Sequence, residues 1–169
     1  TISIPASVTK IGAYAFAGKT NLASMQIVGS IHTIGEGAFL GSNLGNVRSS
    51  ASLTDHVKVV ANYAFMNTNI AYVPTGLTVV GDYAYARSAV AYNAENEPYS
   101  WPVGEVYRWT VVPDAQQTLT NVIVREVESV GKGAFAGTSL QSIVMGSKVE
   151  YLAATSYEGD VLVHGALDD

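Results

Sequence analysis

One recurring block restricts what this chain of 169 residues can fold into more than any other feature. It reads apolar, small, two variable residues, Ala, aromatic. The copies are Ile11-Gly12-Ala13-Tyr14-Ala15-Phe16, Ile34-Gly35-Glu36-Gly37-Ala38-Phe39, Val60-Ala61-Asn62-Tyr63-Ala64-Phe65, Val80-Gly81-Asp82-Tyr83-Ala84-Tyr85 and Val130-Gly131-Lys132-Gly133-Ala134-Phe135, with a weaker one at Leu152-Ala153-Ala154-Thr155-Ser156-Tyr157. The aromatics stand 23, 26, 20, 50 and 22 residues apart, so the gap of 50 has room for one further unit. Trp109 divides that gap into 24 and 26, giving seven repeats. A block that repeats every twenty-odd residues cannot bury its apolar face alone and does so by stacking on its neighbours, which is the logic of a solenoid.

A second element follows each aromatic, of the form L-x-x-I-x-I, as in Leu22-Ala23-Ser24-Met25-Gln26-Ile27 and Leu140-Gln141-Ser142-Ile143-Val144-Met145. Leu44 with Val47, Ile70 with Val73, and Leu119 with Val122 and Val124 are further copies. Its closing period of two is a strand signature. Each repeat is therefore expected to give one short strand, pairing with its counterparts in a long parallel sheet, while the Gly-Ala-aromatic block forms short helical or 3-10 turns that close the coil. Pro5, Pro74 and Pro113 are read as marking the exit from the strand. The whole of 1–169 reads as one domain, irregular at 93–118.

The segment Ile4-Pro5-Ala6-Ser7-Val8-Thr9-Lys10-Ile11-Gly12-Ala13-Tyr14-Ala15-Phe16-Ala17-Gly18 resembles the BspA-like class of leucine-rich repeat, whose units read roughly I-P-x-S-V-T-x-I-G-x-x-A-F-x-G-C-x-x-L. The likeness extends over residues 1–92 and 119–157, and the mean spacing of about 23.5 residues falls in the leucine-rich-repeat range. The Cys of that pattern is absent here, its place taken by residues such as Lys19 or Thr138. The resemblance implies a right-handed, mainly β superhelix. It also implies a surface-exposed or secreted location in host-associated bacteria or protists and a role in adhesion to host or microbial surface or matrix proteins, without catalysis or a cofactor.

Composition narrows the partners. With a net charge of −5 and nine Lys and Arg scattered along the chain, a grip on nucleic acid or anionic lipid is excluded. No stretch approaches the length of a membrane span, so membrane insertion is not expected. Only 14% of residues are charged, which leaves Ser, Thr, Asn and Gly to supply the polar surface. No Cys is present, so disulfides and thiolate metal sites are excluded. The first repeat lacks a polar cap, which predicts that the native chain extends past Thr1 or that ends associate between molecules.

Two places are candidates for ligand binding. Residues 93–118 hold Tyr99, Trp101, Tyr107 and Trp109 beside Glu95, Glu97 and Glu105, a set suited to a sugar ring or a peptide if the aromatics face solvent rather than pack their own coil. The other candidate is the outward face of the strands, where alternation places Ser24, Asn46, Tyr72, Asn121 and Ser142 in one ladder with Gln26, Arg48, Ile123 and Val144 beside it. Arg48 and Tyr72 are the residues expected to anchor a protein there, near an apolar patch at Tyr72, Ile123 and Val144.

Motifs for chemistry are missing or explained by the repeat. Gly12 with Gly18-Lys19-Thr20 has one residue too many for a phosphate loop. The sets Gly35, Gly37, Gly41 and Gly131, Gly133, Gly137 imitate a dinucleotide fingerprint but belong to aromatic blocks. His32, His56 and His164 are isolated in sequence and read as surface histidines, and no catalytic or metal site is expected.

Overall fold

The computed structural model describes residues 2–22, 24–44, 46–49, 56–70, 73–87, 119, 121–135, 138, 140–152 and 162–164. Two kinds of strand alternate along them. Longer strands form at four of the expected L-x-x-I-x-I elements, β3 (Ser24–Ile27), β5 (Asn46–Ser49), β8 (Asn121–Val124) and β10 (Ser142–Met145), and at two further places, β1 (Ile2–Ile4) and β12 (Leu162–His164). Between them lie two-residue strands just before each aromatic block: β2 (Lys10–Ile11), β4 (Thr33–Ile34), β6 (Val59–Val60), β7 (Val79–Val80), β9 (Ser129–Val130) and β11 (Tyr151–Leu152). Every pairing is parallel and joins equivalent positions of successive coils, which is the solenoid that the spacing predicts.

The second, shorter strand of each coil was not legible in the sequence, because two residues are too few for a period of two to register. These strands nonetheless form the continuous sheet of the molecule, ordered β11-β9-β7-β6-β4-β2. β2, β4, β6, β7 and β9 each contribute one inward apolar residue, Ile11, Ile34, Val60, Val80 and Val130, whereas both residues of β11 are exposed, and three positions earlier stands a second column of Val8, Ile31, Val57, Leu77, Val127 and Val149. Ile31, Ile34, Val57, Val60, Leu77, Val80, Val127 and Val130 are at most 1% exposed. Side chains of this size contribute about 1.5–3 kcal/mol each on full burial, so this sheet carries a large share of the core.

Among the described residues the longer strands do not make the single long sheet expected. They form two separate three-stranded sheets, β1-β3-β5 and β12-β10-β8. Ile70 and Val73 stand where the intervening coil should contribute a strand, and neither lies in one, while residues 71 and 72 between them lie outside the described residues. Counting from Leu22 and Ile70, Pro74 falls in the slot that Gln26 fills in β3. A proline in that slot has no N–H to give a ladder.

The aromatic blocks turn without forming helix. Amide groups in them alternate between two targets. Ala15, Ala17 and Lys19 donate to carbonyls three residues earlier in their own coil, while Tyr14, Phe16 and Gly18 donate across to Glu36, Ala38 and Leu40 of the next coil at 2.7–2.8 Å. The same alternation recurs from Gly37 to Ser42 and from Tyr63 to Thr68. A left-handed residue at Tyr14, Gly37, Tyr63, Tyr83 and Gly133, with φ between 52° and 59°, breaks any helical run and turns alternate amides outward. Only Tyr or Gly fills this position. Where Gly37 and Gly133 stand, a Cβ would collide with the ring of Tyr14 or Tyr83 on the preceding coil, so the tyrosine of one coil covers the glycine of the next.

Phe16, Phe39, Phe65, Tyr85 and Phe135 form one column, with successive ring centroids 5.2, 5.3, 5.3 and 5.5 Å apart. Tyr85 stacks directly on Phe135, and Val80 pairs directly with Val130, although 50 residues separate each pair. Phe135 is thus the ring next to Tyr85 in this column, and Trp109, to which the spacing assigns that slot, lies outside the described residues.

The small residue of the block tests how tightly coils approach. A Cβ on Gly35 would stand 2.8–2.9 Å from backbone atoms of Ile11, Gly12 and Ala13, whereas a Cβ on Gly12 meets nothing within 4 Å. Gly35→Ala is therefore expected to destabilise the fold by about 1–3 kcal/mol through overpacking, and Gly12→Ala to change it by less than about 0.5 kcal/mol. Thermal melts of the two variants check this, and equal shifts would contradict the close coil contact.

Candidate interaction surface

Alternation along the longer strands decides what they show to solvent. In β8 the pattern is exposed, buried, exposed, buried: Val122 and Val124 enter the core while Asn121 and Ile123 face out. In β3, Met25 and Ile27 are buried and Gln26 is exposed, with Ser24 half-buried. The register places Ser24 opposite Asn46 and Gln26 opposite Arg48 on β5, and Asn121 and Ile123 opposite Ser142 and Val144 on β10. The backbone register thus lines up these members of the expected ladder in two groups, one on β3 and β5 and one on β8 and β10.

Its second part combines polar and apolar groups. The Ser142 hydroxyl donates to Asn121 Oδ1 across the coils. Ile123 is 46% exposed beside half-buried Val144, the pair expected to form an apolar patch. Tyr72, the third member of that patch, lies outside the described residues, as do Tyr99, Trp101, Tyr107 and Trp109. Arg48 is placed in β5 by its backbone register.

Beside the other sheet, Lys10 and Lys58 lie exposed on the earlier coils, and Glu126, Glu128, Glu150, Lys132 and Lys148 on the later ones. Lys148 and Glu126 pair across adjacent coils; their hydrogen bond, followed by direct attraction, holds the Glu126 carboxyl below and the Lys148 amine above its ordinary range. Both groups are fully solvated, so the pair orders surface side chains more than it stabilises the fold.

Two features were missed from sequence. Asn62 Oδ1 accepts the amide of Asp82 and Asp82 Oδ1 accepts that of Lys132, each at 2.8 Å, so a short side-chain ladder supports the turns. The repeat register could have revealed it, since all three residues follow the small residue of their block. His32 and His56 are not isolated in space: their rings lie 6.4 Å apart, edge to face. Among the described residues no group of three or more His, Cys, Asp or Glu is placed to hold a metal ion. None of their helices is long and apolar enough to cross a membrane.

Comparison with known families agrees with the geometry. The family model described as the BspA type leucine-rich repeat region matches in six copies over residues 1–93 and 115–162. The unmatched residues 94–114 fall inside the segment read as irregular, between coils that the structure stacks directly. No curated protein and no solved structure matches the chain.

Proposed function

Because the chain belongs to the BspA type leucine-rich repeat family, matched over most of its length, we propose that it is a non-enzymatic binding module of a secreted or cell-surface protein, taking a host or microbial surface or matrix protein on the outward face of its longer strands. The observation that carries this reading is the strand alternation: Gln26, Asn121 and Ile123 are exposed while their neighbours in the same strands are buried. A rigid parallel sheet repeats such positions at a spacing of about 4.8 Å, which gives an extended partner many weak contacts without reorganisation. The face is weakly charged, so apolar and hydrogen-bonding contacts, rather than electrostatic steering, set its affinity.

The test is a binding screen of the folded protein against immobilised matrix proteins and a glycan array. A saturable protein interaction is expected, weakened about tenfold or more by Ile123→Asp and by the pair Arg48→Glu with Tyr72→Ala, while circular dichroism stays unchanged. One observation favours a second reading: Trp101 and Trp109 lie in the stretch that the family model leaves unmatched. A glycan interaction lost on Trp101→Ala and Trp109→Ala would place the site there. Silence on both surfaces would leave the solenoid as a spacer and overturn the binding reading.

A further inference from the structure

We propose that His32 and His56 form a two-imidazole site for a borderline divalent metal ion of the zinc type, bridging the second and third coils. The two rings come from successive coils, with centroids 6.4 Å apart and planes at 80°. Their backbone is held from both sides. The His32 amide donates to Thr9 O at 2.8 Å, and its carbonyl accepts the amides of Lys58 and Val59 at 2.9 and 3.2 Å. His56 directly precedes Val57, which is fully buried, and so is anchored by the core beside it.

The rings are free to ligate. Among the described residues neither imidazole makes a hydrogen bond, His32 is exposed and His56 half-buried. The nearest cation in sequence, Lys58, turns its amine to the carbonyl of Gly76 on the following coil at 3.2 Å. Two imidazoles bound to one zinc at ~2.0–2.1 Å with a tetrahedral angle have centroids roughly 5 Å apart, so closure by about 1 Å is needed. Rotation of partly solvated side chains supplies that movement with the backbone fixed. Imidazole nitrogen favours zinc, nickel and copper over magnesium and calcium. With no third protein ligand among the described residues, water completes the coordination, and the ion is exchangeable. Its effect on the fold is a clip between coils, since the folded chain brings together ligands that lie 24 positions apart in sequence.

Isothermal titration of zinc chloride into the tag-free chain tests this directly. One saturable site per chain is expected, reversed by a chelator and accompanied by a rise in melting temperature. His32→Asn and His56→Asn are each expected to abolish saturation and the thermal shift, with circular dichroism unchanged, while His164→Asn retains both. Absence of saturable heat in the parent chain, saturation that survives either of the first two substitutions, or its loss in His164→Asn overturns the proposal.

Discussion

Phe39→Ala is expected to be the most damaging single truncation in this protein, lowering stability by about 3–5 kcal/mol. The ring is 2% exposed and lies between Phe16 and Phe65, with centroids 5.2 and 5.3 Å away and interplanar angles of 8° and 1°. Its removal forfeits the transfer energy of the ring and both stacking contacts. The space left cannot collapse readily, because the amide of Phe39 is held on Ala64 O at 2.8 Å and that of Phe16 on Ala38 O at 2.7 Å, so the coils keep their separation. Phe16→Ala is the internal comparison. Phe16 is half-buried and stacks on one ring of the column, so about half the loss or less is expected. Urea unfolding followed by circular dichroism measures both, with Phe39→Leu as a milder variant should the alanine form fail to fold. Equal losses at the two positions would mean that the column is not the vertical core of the stack.

Gln26→Pro should destabilise the first longer-strand sheet by about 3 kcal/mol, although no buried side chain is touched. Gln26 is exposed in the middle strand of its sheet, paired with Ser3 on one side and Arg48 on the other. Proline at that position removes a ladder donor and sets its ring against a neighbouring strand. Pro74 falls in the same slot of a later coil, where neither Val73 nor Pro74 lies in a strand. Gln26→Ala separates backbone from side chain and should stay within about 0.5 kcal/mol of the parent. Hydrogen exchange provides the local measurement: faster exchange over β1, β3 and β5 is expected in Gln26→Pro, with the amides of β8 and β10 unchanged. Uniform exchange in both sheets would show that they do not behave as separate units.

Both expectations depend on register, and register was largely readable from the residues. The positions of Phe16, Phe39, Phe65 and Phe135 announce a common column because each lies at the same place in a repeating block, and the structure stacks them. Buried Met25 and exposed Gln26 follow in the same way from alternation in β3. The candidate surface was legible to the same extent: Ile123 and Val144 were expected together and are register partners. The His32 and His56 pair was not, since they sit at different places in their repeats and meet only because one coil is laid on the next.

Sequence alone therefore determined the repeat, the solenoid class, the column of aromatics and the inward or outward sense of each longer strand, because stacked coils related by a constant step put equal positions in line. Tertiary structure decided which coils are neighbours. Spacing offered Trp109 as the ring after Tyr85, but the sheet and the ring column close directly onto Val130 and Phe135, since that contact completes both the parallel ladder and the stack. It also decided that, among the described residues, two-residue strands form one six-stranded sheet while the longer ones form two sheets of three. Backbone hydrogen bonding across coils is a property of the whole stack, which no local pattern of apolar residues announces.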